Sequence, residues 1–196
     1  MERDFPVLNI HRVLEHSRAN GPGVRIVVWF QGCSLRCTGC FNPQTHSVAP
    51  RTLMTADALA DRICAMKGHA EGISLTGGEP LDQAAGVCEL LRLVRRRTGL
   101  SVLLFSGYTM DEMSAMPAGT EILSHLDVLI AGRYLAHQHC REGIRGSSNQ
   151  TVRLLTSRYS LPDVEQVPPA ELTIDPSGRV TVSGVHPPSM TSLLPG

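Results

Sequence analysis

Three cysteines within one short stretch constrain this chain more than any other feature of its sequence. Cys33, Cys37 and Cys40 are spaced C-x3-C-x2-C, near the centre of the segment 31–42. Soft thiolate ligands held this close together in one loop are typical of an iron–sulfur cluster. Three thiolates leave one iron of a [4Fe-4S] cluster without a protein ligand, and an open iron favours chemistry over simple electron storage.

Two alternatives remain open on the cysteines alone. A zinc site would need a fourth ligand such as His46, but zinc sites usually pair two short Cys or His units, and the sequence shows no second unit. The spacing could also be a coincidence of buried thiols. Of the other cysteines, Cys64 and Cys88 fall in helical patterns and are predicted to be buried and inert. The tract at 137–140, which ends at Cys140, is a weak candidate for a second metal site.

The length and composition exclude several classes of protein. The chain has 196 residues, 42% hydrophobic and 18% charged, which predicts an ordered domain with a sizeable core. Its 18 basic and 18 acidic residues cancel, so bulk charge supports neither a nucleic-acid partner nor an anionic membrane partner. No apolar run is long enough to cross a membrane, and residues 1–4 do not resemble a signal peptide. We therefore expect a cytoplasmic protein, in a reducing compartment that suits free thiols.

Strands and helices are predicted to alternate along the first 156 residues. The β-branched and aromatic run from Val24 to Phe30 predicts a strand covered on both faces that leads directly into the cysteine loop. Helices are predicted from Thr55 to His69 and from Asp82 to Thr98. Further strands are predicted at 72–76, 101–105, 127–131 and 152–155, with a short edge strand at 7–10, a weak helical segment at 110–125 and a long loop at 132–148. This alternation indicates an α/β fold of parallel βαβ units.

The end of the chain has a different pattern. Three prolines make residues 157–170 linker-like, and two β-rich segments on either side of the turn 176–178 predict a β-hairpin. The final residues are expected to form a mobile tail. The predicted organisation is therefore one domain at 1–156, followed by a linker, hairpin and tail at 157–196.

The residues around and after the cysteines resemble the radical S-adenosylmethionine superfamily, and within it the activating enzymes of glycyl-radical proteins. The anaerobic ribonucleotide reductase activases are particularly similar. The resemblance covers about residues 5 to 156 and rests on motifs in the same order and spacing. These are the segment 21–25, Gln31-Gly32-Cys33, Cys40-Phe41-Asn42, Thr76-Gly77-Gly78-Glu79-Pro80, Phe105-Ser106-Gly107-Tyr108, the segment 127–134 and Arg145-Gly146-Ser147-Ser148-Asn149-Gln150.

The resemblance implies a fold, two cofactors and a set of site residues. The implied fold is an incomplete (β/α) barrel of five to six mostly parallel strands, with the β-hairpin as a C-terminal appendage. Cys33, Cys37 and Cys40 would hold a [4Fe-4S] cluster whose open iron binds S-adenosyl-L-methionine. Reductive cleavage would release a 5′-deoxyadenosyl radical, with no catalytic role assigned to a side-chain acid or base. The residues implied to contact S-adenosyl-L-methionine are Gly39, Cys40, Phe41, Asn42, Gly77, Gly78, Glu79, Pro80, Ser106 and Gly107.

In this branch the radical takes a hydrogen atom from a glycine of a large partner protein. The resemblance therefore implies a glycyl-radical partner and a low-potential electron donor of the flavodoxin or ferredoxin type. One alternative is a stand-alone radical enzyme for a small metabolite or peptide, and another is a non-catalytic iron–sulfur or zinc-binding module. Ala131 stands where the branch usually has an aspartate that helps to bind a monovalent cation, which favours the stand-alone alternative. The loop 132–150 either contacts the partner or only braces the barrel.

Since each motif follows a predicted strand, we expect the motifs to meet at one edge of the sheet. The carboxyl ends of parallel strands lie together, and folds of this kind build their sites there.

Overall fold

A computed structural model describes residues 5–140, 143–174, 177–178 and 180–185. The predicted mobile tail and Pro176 of the predicted turn at 176–178 lie outside the described residues. The strands are β1 (Val7–Ser17), β2 (Arg25–Phe30), β3 (Thr52–Thr55), β4 (Gly72–Gly77), β5 (Ser101–Ser106), β6 (Val128–Ala131), β7 (Thr151–Leu154), β8 (Glu171–Ile174) and β9 (Val180–Ser183). The helices are α1 (Ala56–Met66), α2 (Ala84–Arg97), α3 (Met110–Ser114), α4 (Gly119–Ser124) and α5 (Leu161–Glu165).

One seven-stranded sheet carries the fold, in the order β3-β1-β2-β4-β5-β6-β7. The four central strands, β2, β4, β5 and β6, are parallel, as the alternating pattern predicted. The strands on both sides of them are antiparallel to their neighbours. A separate two-stranded antiparallel hairpin, β8-β9, confirms the predicted C-terminal hairpin. The chain is thus an α/β protein with seven strands in its main sheet rather than five or six.

Two predicted strands are present, but one differs in its position in the sheet and the other in its direction. The segment 7–10 is part of an eleven-residue strand, β1, which is not at the edge because β3 pairs with its far side. The predicted strand at 152–155 corresponds to β7, which runs antiparallel to β6. No crossover helix separates β6 from β7 in the described residues, and a parallel return requires such a crossover.

Helices α1 to α4 cover one face of the sheet, which we call the helix face. Thr55 caps α1 by accepting a hydrogen bond from the Ala58 N–H at 3.2 Å, as its sequence position predicted. Alternate strand residues point to this face, because side chains alternate along a strand. The apolar core there joins Ile26, Val28, Phe30, Ile73, Leu75, Val102 and Leu104 from the strands to Leu59, Ile63, Leu90, Leu91 and Ile122 from the helices.

The opposite face of the sheet is covered in part by the C-terminal segment, and we call it the cavity face. Val164 of α5 and Val167 pack with Leu103, Val128 and Ile130 in a second core cluster. Residues 157–170, predicted as a linker, therefore contain a helix and core contacts. The described helices include none with the length and apolar character needed to span a membrane.

A buried cation lies on the cavity face near the amino ends of the parallel strands. The Arg25 side chain is fully buried. Its guanidinium donates hydrogen bonds to Ser74 Oγ at 3.1 Å, to Ser101 Oγ at 2.5 Å and to the hydroxyl of Tyr159 at 3.2 Å. Burial lowers the pKa of Arg25 to about 10. These contacts tie the C-terminal segment to the sheet through polar groups.

Candidate functional site

The carboxyl ends of the parallel strands meet at one cavity. Phe30 of β2 is in register with Gly77 of β4, and Ser106 of β5 is in register with Ala131 of β6. The turns that follow these strands therefore lie side by side. The predicted site residues that line the cavity are Cys33, Cys37, Cys40, Phe41, Asn42, Gly77, Gly78, Glu79, Ser106 and Gly107. Of the predicted set, only Gly39 and Pro80 are not among the lining residues described here.

Tight turns in the cysteine loop bring the three thiols to the cavity wall. Gly32, Arg36 and Gly39 have φ angles of 105°, 44° and 75°, in the left-handed region that favours glycine. The Cys40 N–H donates to the Cys37 carbonyl at 3.2 Å, and the Asn42 N–H donates to Cys40 Sγ at 3.4 Å. The loop backbone thus folds around the sulfur atoms and donates N–H groups to them.

The three thiols are free, half-buried and without a disulfide partner. Burial raises the pKa of Cys33 and of Cys40, although backbone N–H donors to each sulfur oppose that shift. Three free cysteines on one cavity wall fit the sulfur ligand set of an iron–sulfur cluster.

Neither alternative metal site is formed by the described residues. Among them, no three His, Cys, Asp or Glu side chains come close enough to hold a single metal ion. Cys88 is buried, as predicted, whereas Cys64 is half-buried rather than fully enclosed.

Side chains outside the predicted set hold both ends of the cysteine loop. Asn9 of β1 accepts a hydrogen bond from the Arg51 N–H at 2.9 Å and donates to the Ala49 carbonyl at 3.1 Å. Gln83 donates to the backbone carbonyls of Asn9 at 3.2 Å and Gln31 at 3.0 Å. The sequence analysis missed Asn9 and Gln83 because amides carry no motif of their own. Their role depends on distant backbone groups that only the fold brings together.

The start of the loop is held by a carboxylate. Asp82 accepts hydrogen bonds from the Ser34 N–H at 2.6 Å and from the Ser34 hydroxyl at 2.7 Å. This acidic side chain follows the turn after β4, so it connects that turn directly to the residue after Cys33. A carboxylate that binds a backbone N–H is among the stronger hydrogen-bonding arrangements.

Two glycines let the turn after β4 lie against the end of β2. A Cβ at Gly77 would come within 2.7 Å of the Phe30 nitrogen, and one at Gly78 within 2.1 Å of the Gly32 carbonyl oxygen. The Gly78 N–H donates to the Phe30 carbonyl at 2.9 Å, and the Glu79 N–H donates to the Gly32 carbonyl at 2.9 Å. Backbone atoms at the end of β2 and the start of the cysteine loop thus occupy the space where side chains would lie. Any side chain at Gly77 or Gly78 would prevent this close approach.

Glu79 is the buried charge of the site, with 2% of its surface exposed. Its Oε1 accepts hydrogen bonds from the Leu81 N–H at 3.0 Å and Ser106 Oγ at 2.9 Å, and its Oε2 accepts from the Gly107 N–H at 2.8 Å. Burial raises the pKa of Glu79 to about 7, because these donors only partly offset the loss of water. The carboxylate therefore joins the turns after β4 and β5, and within the described part of the chain none of its hydrogen-bond partners is a cationic side chain.

The loop after β6 closes another side of the cavity. The rings of Phe41 and Tyr134 lie 4.7 Å apart, and those of Phe41 and His139 lie 5.4 Å apart. Gln150 braces this loop by donating to the Gly132 carbonyl at 2.8 Å and accepting from the Gly146 N–H at 2.8 Å. The loop therefore braces the fold and lines the cavity, and its contact with a partner protein stays a prediction.

Two further lining residues come from the end of the described chain. Gly184 and Val185, which follow β9, border the same cavity as the cysteines. The sequence analysis placed them in an appendage after the hairpin. Their position depends on how the hairpin folds back onto the cavity face, and no local pattern records that contact.

Comparisons with known proteins agree with this geometry. The family model described as "4Fe-4S single cluster domain" matches residues 19–153. The chain is 32% identical over 156 residues to an anaerobic ribonucleoside-triphosphate reductase-activating protein of Escherichia coli K12, covering 76% of this chain and 99% of that protein. It is 29% identical over 147 residues to the corresponding protein of Enterobacteria phage T4, covering 73% of this chain and 92% of that protein. It is 31% identical over 125 residues to a pyruvate formate-lyase-activating enzyme of Clostridium pasteurianum, covering 62% of this chain and 50% of that enzyme.

Proposed function

This chain belongs to the 4Fe-4S single cluster domain family and to the anaerobic ribonucleoside-triphosphate reductase-activating proteins, and from that premise we propose that it is a radical S-adenosylmethionine enzyme that generates a glycyl radical on a partner protein. One observation carries the proposal. The three free cysteines line the same cavity as Glu79, Ser106 and Gly107, which belong to the turns after the next two strands.

The donor set suits both cofactors. Cys33, Cys37 and Cys40 would hold the [4Fe-4S] cluster. Gly39, Cys40, Phe41, Asn42, Gly77, Gly78, Glu79, Pro80, Ser106 and Gly107 would contact S-adenosyl-L-methionine. When bound, the cluster supplies the electron that splits this sulfonium compound into methionine and a 5′-deoxyadenosyl radical.

The protein side chains orient the substrate and exclude water. Glu79, held by three hydrogen bonds, is a fixed acceptor for the ammonium group of S-adenosyl-L-methionine. A cation beside this carboxylate lowers its pKa from the raised value that burial produces, so binding favours the ionised form. Phe41, packed against Tyr134, provides an aromatic surface for the adenine. No catalytic acid or base is assigned, because the reaction needs none from the protein.

The remaining parts of the proposal concern the surroundings of the site. We expect a glycyl-radical protein as partner, a flavodoxin or ferredoxin as electron donor, and no nucleic-acid or membrane partner. The expected location is the cytoplasm. The sheet is proposed to curve as an incomplete barrel over residues 1–156, followed by the linker, hairpin and tail at 157–196.

The decisive test is anaerobic reconstitution with iron and sulfide, followed by S-adenosyl-L-methionine, a reductant and a candidate glycyl-radical protein. We expect 5′-deoxyadenosine, and an electron paramagnetic resonance signal of a glycyl radical on the partner. Cys37→Ser should abolish both products, whereas Cys64→Ser, on α1 and outside the cavity, should leave both unchanged. Failure of the reconstituted chain to form 5′-deoxyadenosine would rule out the proposal.

One observation favours the stand-alone alternative. Ala131 is 2% exposed and packs in the core on the helix face, so this position offers no cation ligand to the cavity. A stand-alone enzyme would form 5′-deoxyadenosine with a small metabolite or peptide and leave no radical on any glycyl-radical protein. The same experiment therefore separates the two functions.

A further inference from the structure

Three exposed arginines surround the cysteine loop, and we call them the basic patch. Arg12 lies on β1, Arg36 lies between Cys33 and Cys37, and Arg51 lies where the loop returns towards β3. Within the described ranges, none of these guanidinium groups forms an ion pair. The ion pairs that the structure does show lie on α1 and α2 and around the loop after β6.

Arg36 belongs to the cysteine loop itself. Its φ of 44° is in the left-handed region, which is unfavourable for a residue with a side chain. Its backbone N–H donates to the Cys33 sulfur. Ser34, Thr38 and Gly39 are exposed beside it, so the outer surface of the loop is uncovered. A protein that approaches this surface therefore meets a cation close to the sulfur atoms.

Arg51 and Arg12 lie beside consecutive residues of β1. The Arg51 Nε donates to the carbonyl of His11, the residue before Arg12, at 3.1 Å. The ring of His11 is hydrogen-bonded to the side chain of Gln31 at 2.7 Å. Gln31 is followed directly by Gly32 and Cys33. Hydrogen bonds therefore connect this part of the basic patch to the start of the cysteine loop.

The charge of Arg12 lacks a carboxylate partner. Its guanidinium lies over the Trp29 ring, 5.5 Å from the ring centroid. Partial burial lowers the pKa of Arg12, so the cation has lost water without gaining an anion. Of the carboxylates in this region, Asp82 is engaged by Ser34, and Glu15 lies further along β1. A carboxylate on another protein would supply the missing charge-assisted hydrogen bond.

The character of this surface suits a transient redox encounter. The proposed reaction requires one electron to reach the cluster, and the cysteine loop is exposed on its outer side. Encounters between electron-transfer proteins bury little surface, and charge steers them. A few unpaired cations among small polar residues fit such an encounter. A glycyl-radical partner must instead bring a residue into the cavity.

We propose that the basic patch is the docking surface for an acidic one-electron carrier protein. Its arginines pair with carboxylates of the carrier while one electron leaves the reduced carrier and enters the cluster. The inference rests on the proposed function, because it concerns the electron that starts that reaction. Charges at the rim of an interface act mainly on the association rate and on its salt dependence.

The test measures binding and electron transfer with an acidic flavodoxin as the probe. In Arg12→Gln/Arg36→Gln, the dissociation constant for flavodoxin should rise by about tenfold or more, and oxidation of reduced flavodoxin by the cluster-loaded protein should slow similarly. Raising potassium chloride from about 50 to about 300 mM should weaken wild-type binding and affect the variant less. Calorimetry gives the dissociation constant, and anaerobic stopped-flow absorbance gives the rate.

Arg62→Gln/Arg96→Gln is the matched control. These two arginines lie on α1 and α2, are also exposed and form no ion pair in the part of the chain that the structure describes. The control should bind flavodoxin as wild type does. Dithionite is a small reductant that needs no docking surface, so 5′-deoxyadenosine formed with dithionite should be the same in all three proteins.

Two results would overturn the inference. One is an equal loss of flavodoxin binding in the control, and the other is wild-type binding that does not depend on salt, a measurement that needs no substitution. Weaker binding of a glycyl-radical protein by Arg12→Gln/Arg36→Gln, with flavodoxin binding unchanged, would also overturn it. Absence of 5′-deoxyadenosine from wild type with dithionite, together with patch-dependent flavodoxin binding, would overturn only the proposed function.

Discussion

The two faces of the main sheet are built from the same strands but in opposite ways. On the helix face, side chains such as Val28, Leu75 and Leu104 are fully buried against α1 and α2. On the cavity face, the neighbouring residues in sequence include Ser74 and Thr76. The charged group of Arg25 also lies there, and among the residues the structure describes it has no carboxylate hydrogen-bond partner. One face is an apolar core, whereas the other combines a buried cation, a cavity and a smaller core.

The difference shows where stability and chemistry are located. Apolar burial is the dominant favourable term in folding, and most of it lies on the helix face. The cavity face has less apolar packing, because a cavity and buried polar groups occupy part of it. Substitutions on the helix face should therefore change the free energy of unfolding, and substitutions around the cavity should change binding and reaction.

The strongest test of this division is a cysteine substitution. Cys37→Ser should remove the bound iron and all formation of 5′-deoxyadenosine, because two thiolates do not complete the ligand set. The urea unfolding midpoint of the cluster-free protein should stay the same as in wild type. Iron analysis, chromatographic detection of 5′-deoxyadenosine and urea denaturation measure the three quantities. A large loss of stability in the cluster-free variant would contradict the separation of the two faces.

The opposite test is a core truncation on the helix face. Leu91→Ala, on α2 and fully buried, should lower the free energy of unfolding by about 4 kcal/mol through lost burial and a residual cavity. Leu172→Ala, on the hairpin and 49% exposed, is the control and should change it by less than about 1 kcal/mol. Both variants should retain iron when refolded, as measured by absorbance after reconstitution.

Glu79 predicts a dependence of stability on pH. Its pKa in the folded protein is about 7, above the ordinary value of 4.5, so the folded state keeps a proton that the unfolded state releases. The free energy of unfolding should therefore fall as pH rises from 4.5 to about 7 and should then level off. The full change is about 3 kcal/mol, since one pKa unit corresponds to about 1.4 kcal/mol.

Glu79→Gln should remove this slope in urea titrations of the cluster-free protein at several pH values. Asp127→Asn tests a dependence of stability on pH that has the opposite sign. The pKa of Asp127 is lowered: burial alone would raise it, but donors that include the Val102 N–H and Arg95 outweigh burial. Its contribution to stability is therefore lost as pH falls below the ordinary aspartate range. An unchanged slope in Glu79→Gln would show that another group titrates.

The smallest expected effect concerns the polar part of the cavity face. Tyr159→Phe removes the hydroxyl shared by Arg25 and Ser101 and should cost about 1 kcal/mol in free energy of unfolding. Tyr108→Phe is a suitable control, because its hydroxyl makes only a 3.4 Å contact with Ser34 in the described residues. Thermal unfolding of the two variants at one pH measures the difference. Equal effects would mean that the Arg25 cluster does not hold the C-terminal segment.

Much of the sheet's central part could be predicted from the sequence. The apolar runs ending at Phe30, at Thr76 and at Phe105 have the composition of buried parallel strands, and turn motifs follow each of them. Parallel strands place such turns at one edge, so the meeting of the cysteines with Glu79 and Ser106 follows from strand order alone. The cofactor contacts assigned to single residues remain predictions.

The antiparallel margins of the sheet could not be predicted in the same way. The segment of β3 has only four residues, and two of them are threonines, so nothing in it marks a partner for β1. The helix α5 lies in a proline-rich stretch, where Pro162 suits a first helical turn as well as a linker. The contact of Asn9 with Ala49 and the position of Val185 at the cavity both depend on residues that lie far apart in sequence.

The placement of Asn9 has a practical consequence. The cysteine loop leaves the sheet from β2 and returns to it in β3, and both of these strands are hydrogen-bonded to β1. The intervening segment is therefore held at both of its ends by β1, a strand that contributes no proposed ligand. Amide hydrogen–deuterium exchange in β1 should then slow when the iron–sulfur cluster is bound. The exchange rate of a proteolytic peptide from this strand would therefore report whether the distant cluster site is occupied.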